Sequence, residues 1–272
     1  AWQDYQSQGG NVEAFSPDCT LSEDVVVDGL LGVGLARELE GDLLAAVQRI
    51  NTAGRPVLAL DIPTGLHADT GLVLGAAVAA ELTITFVGLK RGLFLGTAPD
   101  YRGTLEFSGL AIPAQAYDRV PACMERLTPE ILKGLLPPRA RTAHKGRNSS
   151  LLLVGGAPGM SGAIRLAAEA AFRAGAGLVR VATHPDSVAS VMAGRAEVMC
   201  HGTPTPEALE TLLAVSDAVV VGPGLGQSDW AKRAWAQVLT SELPVIVDAD
   251  GLNLLSETPE TRENWILTPH PG

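Results

Sequence analysis

Ser150-Leu151-Leu152-Leu153-Val154-Gly155-Gly156-Ala157-Pro158-Gly159-Met160-Ser161-Gly162-Ala163 passes from an apolar run, through a glycine-rich turn, into a segment with helical spacing. A short unbroken apolar run that ends on glycine predicts a strand buried on both faces. A helix is expected next, over 162–174. Strand and helix patterns go on alternating downstream, with strands at 177–183, 198–202, 218–222, 244–248 and 265–268 and helices at 185–192, 206–214 and 229–240, and no internal sequence repeat. Strands that alternate with helices predict a doubly wound parallel sheet, with ligands at the carboxyl ends of the strands.

Upstream of this series, strands fit 11–15, 24–28, 56–61, 82–88 and 104–108, and residues 1–8 read as an amphipathic helix. A further helix fits 41–52, where Leu43, Leu44, Val47 and Ile50 share a face. The stretch 111–141 breaks the rhythm with Pro113, Pro121, Pro129, Pro137 and Pro138 and holds one helix candidate, 129–136. Proline punctuation without strand runs predicts an inter-domain connection. The boundary is placed near Ala122, giving α/β domains over 1–121 and 122–272.

Composition narrows the function classes. The chain has 272 residues, with 46% hydrophobic and 4% aromatic residues and 30 glycines, which suits layered α/β packing. A net charge of −10 argues against a nucleic-acid binder, because phosphate backbones attract basic surfaces. No apolar run is long enough for a membrane span, and the N-terminus lacks the pattern of a signal peptide. Cys19, Cys123 and Cys200 are widely spaced, follow no metal-ligand pattern, and read as reduced thiols of a cytoplasmic protein. Both termini read as cut from a longer polypeptide.

Two strand ends in the first half carry acids. VVVDGLLGVGL (25–35) sets Asp28 before a loop containing Gly32 and Gly34, and LDIPTGLHADTG (60–71) sets Asp61 three residues before Thr64. Strand-end carboxylates face the crevice of an open sheet, and carboxylate, hydroxyl and carbonyl oxygens together suit a hard cation. The alternative at Asp28 is a βα turn with a capping acid, and at the second strand end Pro63 and Gly65 could equally be turn residues alone. In the second half, a glycine-rich turn before a helix offers aligned N–H groups to a phosphate, although neither the Walker nor the dinucleotide spacing is met. GPGLG (222–226) and DADGLN (248–253) end two more strands, the second with acids that would hold Mg2+ through water or cap a helix.

Taken together, the first-half motifs resemble the C-terminal half of the NAD(P)HX epimerase domain, over about residues 1–112. That family interconverts the R and S epimers of hydrated NADH and NADPH and binds potassium. The resemblance implies a Rossmann-like three-layer domain with Asp28 and Thr64 as potassium ligands. It implies substrate contacts from Gly32, Val33, Gly34, Leu35, Ala36, Arg37, Glu38 and Asp61, and a part for Asp28 in proton movement. The family's Asn/Gly-rich phosphate loop has no counterpart here, so the epimerase site is expected to be incomplete.

HKG (144–146), GGAPGMSGA (155–163), RAGAGLV (173–179), GPGLG, DADGLN and TPHPG (268–272) occur in that order. They resemble the ribokinase-like NAD(P)HX dehydratase domain, over about residues 127–272. This second resemblance implies ADP- or ATP-dependent, Mg2+-assisted recovery of NAD(P)H from the S-hydrate. Substrate contacts are implied at Ala163, Gly224 and His270, and assembly into a homo-oligomer is expected. The family's G-[ST]-G-D segment, with its anion hole and catalytic acid, has no match in the chain. A ribokinase-superfamily small-molecule kinase would share the second half but leave the first unexplained; a non-catalytic nucleotide-binding protein, or an inactive fragment, is the second alternative.

Overall fold

The computed structural model describes residues 2–136, 138–144 and 149–270. The chain divides into two compact units, residues 1–131 and 132–272. The first contains α1 (Trp2–Ser7), β1 (Val26–Asp28), α2 (Gly41–Thr52), β2 (Val57–Leu60), β3 (Leu82–Phe86), β4 (Thr104–Ser108) and α3 (Ala114–Tyr117), with α4 (Pro129–Leu135) at the division. Its four strands lie in the order β1-β2-β3-β4, all parallel. Helix α2 buries Ala46, Val47 and Ile50, and this stripe packs with Val57, Ala59 and Val78. Burial of each such aliphatic side chain contributes on the order of 1.5–3 kcal/mol. On the opposite sheet face Val27 and Leu60 are exposed.

The strand expected at 11–15 is not formed; the segment is irregular, and only Val12 is partly buried. Its alternation has no neighbouring strand to pair with, and an unpaired strand satisfies none of its backbone groups.

The second unit contains β5 (Ser150–Val154), α5 (Ser161–Ala174), β6 (Leu178–Thr183), α6 (Val188–Met192), β7 (Met199–Gly202), α7 (Pro206–Leu213), β8 (Ala218–Val221), α8 (Asp229–Leu239), β9 (Val245–Asp248), α9 (Ala249–Glu257) and β10 (Trp265–Thr268). The helix expected at 185–192 starts as a 3-10 turn, Pro185–Ser187, where the His184 side chain accepts the Asp186 N–H. Six parallel strands lie in the order β10-β9-β8-β5-β6-β7.

Alternate residues of β5 serve opposite faces of this sheet. Leu152 and Val154 pack with Val219, Val221 and α8 residues Ala231 and Trp235, whereas Leu153 joins Ile164 and Ala168 of α5 with Val179 and Val181. Helix α5 stops at Gly175, whose φ of 104° favours glycine and whose N–H caps Ala171 and Phe172. The chain order places β6 and β7 on one side of β5 and β8, β9 and β10 on the other. The direction of winding therefore reverses between β5 and β8, and a crevice is expected outside the carboxyl ends of that pair.

Candidate functional sites

In the first unit, β1 delivers Asp28 to a turn built around Thr64. The Thr64 hydroxyl donates to Asp28 Oδ1 at 2.7 Å, and the Thr64 N–H donates to Oδ2 at 2.8 Å. The Leu30 N–H also reaches Oδ1, at 3.3 Å, and the Leu31 N–H donates to Thr64 Oγ1 at 3.0 Å. Asp28 and Thr64 are each 1% exposed. Among the described residues Asp28 has no cationic partner, so a buried carboxylate is held by neutral donors alone. With Thr64 Oγ1 and the Leu31 carbonyl 3.2 Å apart beside it, this oxygen set and its uncompensated charge fit a hard monovalent or divalent cation. The turn depends on Gly65, which has a φ of 100° and lies where a Cβ would fall on the Ala76 carbonyl oxygen.

Asp61 lies just beyond the end of β2 with a φ of 72°, in the left-handed region. One of its oxygens, Oδ1, receives the Phe86 N–H at 3.0 Å, the Thr85 hydroxyl at 3.4 Å and the Lys90 ammonium. Lys90 also donates to Thr85 Oγ1 at 3.1 Å and to the Phe86 carbonyl at 2.8 Å. Lys90 lies in none of the sequence motifs described above. The only hint was a lysine shortly after a strand end, which by itself points to nothing.

The loop that carries Gly32, Val33, Gly34, Leu35, Ala36, Arg37 and Glu38 leaves β1 and is largely exposed, with Leu35 half-buried. A Cβ added at Gly32 or Gly34 would meet open space, so neither glycine is required by packing. His67 closes the following turn by accepting the Asp69 and Thr70 N–H groups at Nδ1.

In the second unit, the glycine loops after β5 and β8 lie against each other at the reversal point. The Gly156 and Ala157 N–H groups donate to the Pro223 and Gly224 carbonyls at 3.1 and 2.7 Å. Gly224 has a φ of 61°, and a Cβ there would sit 3.3 Å from the Ala163 Cβ, so these two sequence-expected contacts are neighbours. Helix α5 starts at this crevice without a side-chain cap. Its first-turn amides have no partner within the helix and carry the positive end of its dipole. An anion fits there.

The acids of DADGLN have structural partners. Asp250 Oδ2 accepts the Gly226 N–H at 2.8 Å and its Oδ1 accepts Asn253 at 3.2 Å, while Asp248 Oδ1 accepts the Thr268 hydroxyl at 2.8 Å. Asp248 makes no side-chain cap to α9. Among the described residues no group of three or more His, Cys, Asp or Glu side chains is placed to hold a metal. His270 follows β10, two strands from β8, and is exposed. Lys145, Gly146, Pro271 and Gly272 of the quoted motifs lie outside the described residues.

These two sites meet a matching pair of families. Residues 1–92 match the family of YjeF-related protein N-termini, and residues 151–272 match the NAD(P)H-hydrate dehydratase family. The bifunctional NAD(P)H-hydrate repair enzyme of Coxiella burnetii is 49% identical over 92% of this chain and 51% of its own length. One chain thus matches both families, in that order. The enzyme of the same name from Escherichia coli is 41% identical over 97% of this chain and again 51% of its own length. The chain spans about half the length of the curated relatives it matches. Among solved structures, a hypothetical protein of Streptococcus mutans is 32% identical, covering 53% of this chain and 54% of that one with a TM-score of 0.50. Two α/β units, each built on a parallel sheet, are the fold described above.

Proposed function

We propose that the protein carrying this chain repairs hydrated NADH and NADPH, epimerising the R and S hydrates and dehydrating the S form at the expense of ADP or ATP. The observation that carries this reading is the presence, on one chain, of both family matches, each coinciding with a strand-end site. Epimerisation inverts C6 of the hydrated nicotinamide ring. Dehydration transfers a phosphoryl group to the added hydroxyl, which then leaves as phosphate while a ring proton departs.

In the first site Asp28 and Thr64, with the Leu31 carbonyl, would hold potassium, which supplies a fixed positive charge near the substrate. Asp28 is 1% exposed and is bonded to Thr64, so its role here is to hold the cation and the turn. The loop 32–38 and Asp61 would contact the substrate. In the second site Ala163, Gly224 and His270 would contact the hydrate, and the uncapped amides of α5 would face its phosphates. The nucleotide would enter with Mg2+. Asp248 and Asp250 are occupied in holding Thr268 and the loop 222–226.

A cytoplasmic location and assembly into a homo-oligomer complete the proposal; the free cysteines Cys19, Cys123 and Cys200 support the first of these. Full-length protein incubated separately with purified R- and S-hydrates tests the reading. Conversion of R to S without nucleotide, and recovery of NADH from S with nucleotide, are expected. Loss of either step would remove the corresponding half of the assignment.

A further inference from the structure

We propose that Lys90 is a positioning residue of the epimerase site, fixing Asp61 so that one carboxylate oxygen, Oδ2, is presented to the substrate. The inference rests on the functional reading above. Lys90 has three N–H donors, and all three are engaged, with Asp61 Oδ1, Thr85 Oγ1 and the Phe86 carbonyl. It therefore has no donor left for a ligand. Asp61 is asymmetric: Oδ1 gathers Lys90, Thr85 and the Phe86 N–H, while Oδ2 has no hydrogen-bond partner among the described residues. The Asp61 side chain is 24% exposed and that of Lys90 15%.

The backbone supplies a second, independent observation. The Ile62 N–H donates to the Leu60 carbonyl at 2.9 Å around Asp61, and the Gly88 N–H donates to the Phe86 carbonyl at 2.6 Å around Val87. The central residues have φ values of 72° and 64°. These are two three-residue turns in the rare positive-φ form, side by side at the carboxyl ends of β2 and β3. Val87 is β-branched, for which this region is a marked outlier. Such strain persists only where surrounding contacts over-determine it, and it gathers at ligand-binding positions. The Asp61–Lys90 pair bridges the two turns. A carboxylate oxygen fixed in this way accepts from a hydroxyl or amide N–H, and the ribose hydroxyls and carboxamide of hydrated NAD(P)H are donors of that class.

The test measures kcat and KM for R-hydrate epimerisation by full-length protein, comparing wild type, Lys90→Met, Lys90→Arg, Asp61→Asn and the Lys90→Met/Asp61→Asn double variant. Lys90→Met is expected to raise KM about 10- to 100-fold, the cost of a misplaced contact group, with a smaller change in kcat. Lys90→Arg should restore part of that loss. The double variant should be no worse than Asp61→Asn alone, because the two residues act as one unit. It also removes the unpaired charge, so it keeps the test open if Lys90→Met does not fold. A KM within twofold of wild type in Lys90→Met, or losses that add in the double variant, would overturn the inference. Absence of epimerisation by wild-type protein would instead remove the functional reading on which it rests.

Discussion

Thr64 binds both oxygens of Asp28 at once, its hydroxyl to Oδ1 at 2.7 Å and its own N–H to Oδ2 at 2.8 Å, across 36 residues of sequence. The end of β1 is thereby locked to the turn after β2, and two hydrogen bonds set the spacing of the first site.

Removal of that carboxylate leaves the Thr64 and Leu30 N–H groups without their acceptor. In the full-length protein Asp28→Ala is expected to lose about 1–3 kcal/mol in the unfolding of the first domain, the cost of stranding the buried Thr64 N–H. It should also abolish epimerisation while dehydration of the S-hydrate persists. Urea denaturation followed by domain-specific probes, together with the two activity assays, checks both parts.

Glycines with different surroundings should respond differently. At Gly222, with a φ of 123°, a Cβ would fall on the Asp248 carbonyl oxygen, whereas at Gly32 it meets open space. Gly222→Ala is expected to cost about 3 kcal/mol or more, from strain and overlap with backbone. Gly32→Ala should stay within about 0.5 kcal/mol of wild type. Paired melting curves decide this, and weakened hydrate binding by a fully stable Gly32→Ala protein would mark the loop as ligand-facing.

Asp250 holds the loop beside Ala163 through the Gly226 N–H. Asp250→Ala should therefore raise the KM of dehydration for the S-hydrate by about tenfold, because a displaced loop misplaces its contacts. Asp250→Asn keeps an acceptor for that N–H and should show a smaller change. Equal effects in the two variants would point to charge instead of loop position.

Burial pushes the Cys200 thiol up to about 11. The folded protein thus holds this thiol neutral where the unfolded chain would ionise it. Its contribution to stability is complete below pH 9 and declines between about 9 and 11. At pH 8 a thiol-reactive dye should label the exposed Cys123 well before Cys200, and mass spectrometry of the labelled peptides gives the order.

His270→Ala in the full-length protein is expected to weaken binding of the S-hydrate, given the position of His270 just beyond β10 and its exposure. Titration calorimetry with the hydrate alone measures this without turnover, and an unchanged affinity would remove His270 from the site.

Long apolar runs such as Leu151 to Val154, separated by helical spacing, made the parallel sheets legible in the sequence, because burial on both faces demands that pattern. Asn11 to Phe15 shows the limit: alternation indicates a face, but strand formation needs a partner that sequence alone does not supply. Asp28, Thr64 and Asp61 were legible as oxygen donors at strand ends. Their mutual arrangement was not. The bond from Asp28 to Thr64 and that from Asp61 to Lys90 join residues 36 and 29 positions apart, and both depend on strand register. Asp250 was legible as an acid at a crevice, yet its bond to Gly226 shows a loop-holding role that spacing could not distinguish from metal binding or helix capping.

The most direct test of the account follows absorbance near 340 nm when full-length protein is given a mixture of R- and S-hydrates with ATP, and separately with ADP. Recovery of NADH from both epimers with at least one nucleotide is predicted, because the proposed epimerisation would convert the R-hydrate to the form that is dehydrated. No recovery with either nucleotide would contradict the account.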